Sequence, residues 1–341
     1  MNIIMALLAL GILIFIHELG HYWAARATGV RVEEFAIGFG PPLVRYRKNN
    51  ILYRLNLLPL GGYVKMLGED NPEAAEAPDN FNNRPLLARM LVILAGVIMN
   101  FIGAIVILTV MFNLYGAPTD KVNTHAFGVV PGSPAQVAGI QANDILKRIN
   151  GVPIDSPQVF IQQVQANNGK PVTLEILRDK QMVTLQVTPV NGKVGIEIGT
   201  SPVYQSYGSF AANTSAAIRQ TGELARLVVS GLGQLVTGQF AFKDLTGPVG
   251  IIEVTGQASQ LGVPSYLHIM ALLSVNLGVL NLVPIPGLDG GRFLFLLIEA
   301  IRRGKRLSLE REASINLIGI LFLLGLMVIV TFQDVFKLIA R

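Results

Sequence analysis

Apolar residues in this chain gather in four long runs, at residues 3–25, 90–115, 266–283 and 315–332. About 20 apolar residues coiled as a helix match the hydrocarbon thickness of a bilayer, so each run predicts a membrane-crossing helix. The third run is the weakest, because Asn276, Asn281 and the stretch Pro284-Ile285-Pro286-Gly287 interrupt it. Residues 51–68 are also apolar, but Pro59, Gly61 and Gly62 break them into strand, turn, strand. Backbone in that form is tolerated at membrane depth only if it is covered or lines a wet cavity, so a re-entrant β-hairpin is predicted there.

The rhythm changes at residues 120–195. Val129-Val130-Pro131-Gly132-Ser133-Pro134-Ala135 leads into a short helix ending at Gly139, and residues 144–151 read as a strand meeting an Asn-Gly turn. Residues 158–165 fit an amphipathic helix, and residues 172–177 and 182–187 alternate as strands. This order resembles a PDZ domain, which would bind a peptide C-terminus as an added strand at Gly128-Val129-Val130, or serve only as a spacer. Residues 69–85 read as a solvated connector, and residues 205–260 as a linker region whose residues 216–235 form an amphipathic surface helix. The expected fold is a polytopic α-helical membrane protein of four segments. These are 1–115 with two spans and the hairpin, the insert 120–195, the linker 205–260, and 264–341 with two further spans.

Composition agrees. The chain has 341 residues, 51% of them hydrophobic and only 14% charged. Its net charge of +5 does not point to nucleic acid, because the basic residues flank apolar runs, as Arg26, Arg31, Arg45, Arg47 and Lys48, and as Arg302, Arg303, Lys305 and Arg306. That pattern places both flanking loops in the cytoplasm and both termini, with residues 116–263, outside. Cysteine is absent, so any metal must be held by His, Asp or Glu.

The chemistry begins at His17-Glu18-Leu19-Gly20-His21, inside the first apolar run. Imidazoles at i and i+4 share a helix face and reach one ion, and the glutamate between them is the general base of a zinc hydrolase. A cleavable signal peptide is the competing reading of this run, but it lacks a basic n-region and needs no such motif. Two histidines want a third ligand, and Asp289 projects from the Pro- and Gly-rich break in the third run. Alternatively, Asp289 caps a helix starting near Gly290. Asn100 is either interhelical glue or a donor to a substrate carbonyl. Leu60-Gly61-Gly62 would let an unwound substrate approach the hairpin as an added strand. His125 is expected at the surface, and His268 at an interface or in packing rather than on the metal.

His17-Glu18-Leu19-Gly20-His21, the Asn281-to-Gly290 stretch, Gly38-Phe39-Gly40-Pro41, Gly96-to-Asn100 and the PDZ-like insert together resemble the site-2 protease family of intramembrane zinc metalloproteases. The nearest branch is the bacterial regulator-of-sigma-E protease group, although one PDZ-like insert stands here where well-known members carry two. The resemblance implies Zn2+ held by His17, His21 and Asp289, water activated by Glu18, and Asn281 holding substrate near the metal. It implies single-span membrane substrates, such as anti-sigma factors, and a place in the bacterial inner membrane. The rival functions are a membrane adaptor and a metal transporter. Neither has a use for Glu18 as a base beside a ligand.

Overall fold

A computed structural model describes residues 2–68, 77–239 and 245–339. In chain order the elements are α1 (Asn2–Ala27), β1 (Val32–Lys48), β2 (Ile51–Met66), α2 (Leu86–Leu114), β3 (Ala117–Val129), α3 (Pro134–Val137), β4 (Ile145–Ile149), β5 (Val152–Pro153), α4 (Pro157–Ala166), β6 (Val172–Arg178), β7 (Gln181–Val187) and β8 (Ile196–Gln205). Five helices follow, α5 (Phe210–Val236), α6 (Pro248–Gln260), α7 (Val263–Leu282), α8 (Asp289–Ile301) and α9 (Leu309–Ile339). The chain divides into two units, one of residues 1–110, 214–259 and 266–341, the other of residues 111–213 and 260–265.

In the first unit, four helices are long and apolar enough to cross a membrane, Ile3–Ala27, Leu86–Leu114, Val263–Leu282 and Glu310–Lys337. The third expected span is not broken. Its asparagines sit within a continuous helix, because hydrogen bonding inside the helix continues through them and the prolines begin only after Leu282. Small and polar positions let the spans approach closely. Ser274 Oγ donates to the Asn100 carbonyl at 2.7 Å, and a Cβ on Gly278 would touch Phe101 at 3.2 Å.

The β-structure of this unit is larger than the hairpin expected at 51–68, whose partners lie earlier in the chain. Val44 to Lys48 pair with Leu55 to Ile51 across the Asn49-Asn50 turn, while Val32 to Ile37 pair with Met66 to Gly62. Glu34 to Ile37 also face Leu52 to Leu55, so that segment has neighbours on both sides. The strands fold back where backbone turns left-handed, at Gly38 (φ +80) and Gly61 (φ +92). Residues 62–66 therefore form one edge of the sheet. Tyr63 Oη and Arg54 Nη1 donate to Glu34 Oε1 at 2.6 and 2.7 Å across the strands. Phe35, Val64 and Met66 pack with Val92, Ile93 and Leu296 to seat the sheet on the helices.

Of the expected connector 69–85, residues 69–76 lie outside the described residues. The remainder is ordered: Phe81 is buried in a short 3-10 turn, and Arg31 Nε donates to Asp79 Oδ2 at 2.7 Å. The helix α5 extends the amphipathic segment expected at 216–235, whereas α6 carried no clear signal in the sequence.

The second unit holds a sheet of order β7-β6-β4-β3-β8, with β5 beside β4. Its core is Leu146, Ile149, Phe160, Val164, Leu174 and Ile176. The expected strands and helices are present, but the sheet continues past residue 195 into β8. That strand corrects the docking edge. Gly128 and Val129 pair with Glu197 and Ile196, so this stretch of β3 faces β8, and among the described residues β7 and β8 are the outermost strands of the sheet. His125 is a second correction: it is buried, with Nε2 2.5 Å from Ser201 Oγ, since β3 lies inside the sheet. Burial lowers its imidazole below the ordinary histidine range.

Candidate active site

The helix α1 sets His17 and His21 one turn apart on one face. Each ring is oriented by α2. His21 Nδ1–H donates to the Val92 carbonyl at 2.9 Å, which leaves the Nε2 lone pair facing the cavity. The Asn100 carboxamide lies 3.1 Å from His17 Nδ1, and its oxygen has no hydrogen-bond partner. A half-turn of the amide sets that oxygen on a ring N–H and frees His17 Nε2 in the same way. Gly96 makes room for both rings, since a Cβ there would stand 2.7 Å from Cε1 of each.

Asp289 arrives from the opposite end of the chain. After Leu282 the prolines end α7, and the loop closes on itself through Ile285 N to Val283 O at 2.7 Å and Leu288 N to Ile285 O at 3.1 Å. Asn316 Oδ1 of α9 accepts the Gly287 N–H at 3.2 Å. The helix α8 then starts with Leu288 as its N-cap and no side-chain capping bond. Asp289 is therefore not a cap, and its carboxylate is turned to the histidines.

The result is a triangle of donor atoms. His17 Nε2 lies 3.2 Å from His21 Nε2, and Asp289 Oδ2 lies 3.2 and 3.3 Å from them. Asp289 Oδ2 is buried without a well-formed hydrogen bond. Tetrahedral ligands at about 2.0–2.1 Å from zinc stand about 3.3 Å from one another, so these three atoms fit one zinc ion. Among the described residues this is the one cluster of such groups that converges on a point, and His268 is outside it.

A family comparison agrees with this geometry: the model of peptidase family M50 matches residues 5–326. The chain belongs to peptidase family M50. It is 38% identical to a putative zinc metalloprotease of Clostridium perfringens, covering 98% of each chain. It is 34% identical to the zinc metalloprotease RasP of Bacillus licheniformis, over 99% of this chain and all of that one. The regulator of sigma-W protease RasP of Bacillus subtilis is 31% identical over 99% of each.

In this M50 peptidase the triangle opens on a cavity of about 450 Å³. Glu18 lines it, 9% exposed, and so do Asn100, Asn281, Gly61 and Gly62. Every residue singled out from the sequence for the site is thus gathered in one place. Gly62 lies against Glu18, where a Cβ would meet the Glu18 side chain at 3.0 Å. Sequence reasoning missed two contributors. The Val92 carbonyl carries no side-chain signal, whereas Arg292 stands one helical turn beyond Asp289 and could have been found from that spacing.

Proposed function

We propose that this M50 peptidase is an intramembrane zinc metalloprotease, with His17, His21 and Asp289 as ligands and Glu18 as general base. The observation that carries this reading is the near-equilateral donor triangle with a carboxylate beside it, in a helix apolar enough to span a bilayer. When bound, zinc supplies a Lewis acid that polarises the scissile carbonyl and makes water acidic enough to react at neutral pH. Glu18 takes a proton from that water as its oxygen adds to the carbonyl carbon. The C–N bond then breaks, and Glu18 delivers the proton to the departing nitrogen.

A helical substrate hides its carbonyls in internal hydrogen bonds and must unwind before this can happen. Residues 62–66, an edge of the sheet whose members line the cavity, suit pairing with an extended substrate segment. Asn281 is suited to hold a substrate amide near the metal, and Asn100 serves His17 at least as much as the substrate. The substrates proposed are single-span proteins such as anti-sigma factors or signal-peptide remnants, in keeping with the name of the Bacillus subtilis relative. The site would face the cytoplasmic side of a bacterial inner membrane, with both termini outside. The second unit is proposed as a PDZ-like domain taking a peptide C-terminus along β8. The clostridial relative aligns over 337 positions, which fits a single such insert.

The deciding experiment compares the parent with Glu18→Gln, both zinc-replete, on a reconstituted single-span peptide. Cleavage by the parent alone supports the protease reading. Cleavage by neither leaves the adaptor or the transporter, and equal cleavage by both overturns Glu18 as the base.

A further inference from the structure

Charge distinguishes this cavity more than shape does. The charged residues in its wall are Glu18, Asp289, Arg292 and Lys65, and Lys65 Nζ is paired with Glu33 Oε2 at 3.7 Å. Arg292 follows Asp289 by three positions on α8, so both side chains lie on one helix face and reach one cavity. Burial pulls the guanidinium below its ordinary value, against the attraction of the Glu18 and Glu312 carboxylates. A fixed cation here is costly to desolvate and is repelled by a divalent ion. Packing alone does not account for it, since an apolar side chain of similar volume would fill the space without that cost. With neutral imidazoles, a divalent ion would balance Glu18 and Asp289, Lys65 is balanced by Glu33, and Arg292 is the cation next to the donor triangle, with Glu312 behind it. The guanidinium, in the same wall as Asp289 and Glu18, is therefore placed to meet a negative charge that develops beside the metal site. Peptide hydrolysis supplies that charge transiently, on the carbonyl oxygen, as the water oxygen adds to the carbonyl carbon.

We propose that Arg292 is a further catalytic residue, donating N–H hydrogen bonds to the scissile carbonyl oxygen as negative charge develops there. The proposal rests on the assignment of His17, His21 and Asp289 as ligands and Glu18 as base. Proton traffic stays with Glu18, the C–N electron pair leaves with nitrogen, and Arg292 keeps its protons throughout. Its planar fork of donors suits an oxygen that gains charge while changing direction.

The test uses the full chain, zinc-loaded, in detergent with a single-span peptide. Arg292→Ala should keep the parent's zinc content and a similar KM, while kcat falls about 100- to 1,000-fold. Sub-denaturing guanidinium should restore part of that activity, and none to Glu18→Gln. Binding gives a readout independent of turnover. In a Glu18→Gln background, Arg292→Ala should weaken an anionic phosphinate peptide by a comparable factor and leave the uncharged substrate peptide unaffected. Arg292→Gln, uncharged but of similar reach, should show the same selectivity should the alanine variant fold poorly. Full activity with full zinc, or equal loss of affinity for both peptides, overturns the proposal. A parent that binds no zinc, or a Glu18→Gln chain that still cleaves, refutes the underlying assignment instead.

Discussion

Gly96→Ala gives the sharpest test of the metal centre, because two effects of opposite sign meet at one methyl group. In an ordinary helix interior this change stabilises by about 0.5–1 kcal/mol, since glycine is the worse helix former. At position 96 the new Cβ would lie 2.7 Å from Cε1 of both His17 and His21. Carbon–carbon contacts settle at about 3.5–4.0 Å, so the rings must retreat by roughly 0.8 Å or more. Metal sites hold their ligand distances within about 0.2 Å, so that retreat removes both imidazoles from ligation. In the metal-free variant the same retreat of the rings costs about 1–3 kcal/mol, so it should be less stable than the metal-free parent by at most about 2.5 kcal/mol. Its zinc affinity should fall by at least the roughly 10- to 100-fold seen when groups supporting a ligand are altered. Zinc stoichiometry by elemental analysis, with thermal unfolding of both proteins with and without zinc, separates the two effects. A Gly96→Ala chain that binds zinc and cleaves like the parent would refute the packing argument.

Three further predictions concern the surroundings of the site. Arg89 and Glu299 form a buried bidentate pair at 2.9 and 2.6 Å, so Glu299→Gln should cost about 3–5 kcal/mol of stability, read from unfolding in mild detergent. The hydrogen bond from Arg89 outweighs burial and lowers the Glu299 carboxyl. Its contribution is thus complete above the unfolded-chain value and fades as pH drops through the folded one; a parent with the same acid slope as Glu299→Gln would contradict this. Proline placed within residues 62–66, at a position whose N–H points away from β1, should slow cleavage of helical peptides without changing zinc content. Unaltered cleavage would remove strand addition as the means of holding substrate.

Local features are legible in the order of residues alone. The i, i+4 imidazoles with a carboxylate between them, the apolar runs and the alternating strands of the second unit all depend on residues near one another in sequence. Asp289 is reachable as well, because a carboxylate at a proline- and glycine-rich break next to an apolar run needs a cation. Boundaries suffer where apolarity and chain-breaking residues disagree. The asparagines of α7 read as a break yet leave the helix whole, and the turn at Gly61 reads as a complete hairpin although its partners lie in β1.

What the sequence determined by itself was the set of helices that suit a bilayer and the identity of the residues able to hold and use a metal, because periodicity and side-chain chemistry are properties of short stretches. Only the tertiary structure decided that Val92 and Asn100 orient the two rings, that β8 occupies the edge at Gly128, and that His125 is buried. Each of these depends on which distant backbone or side chain arrives as a neighbour. A hydrogen-bond partner far along the chain leaves no trace in the spacing of the residue it serves.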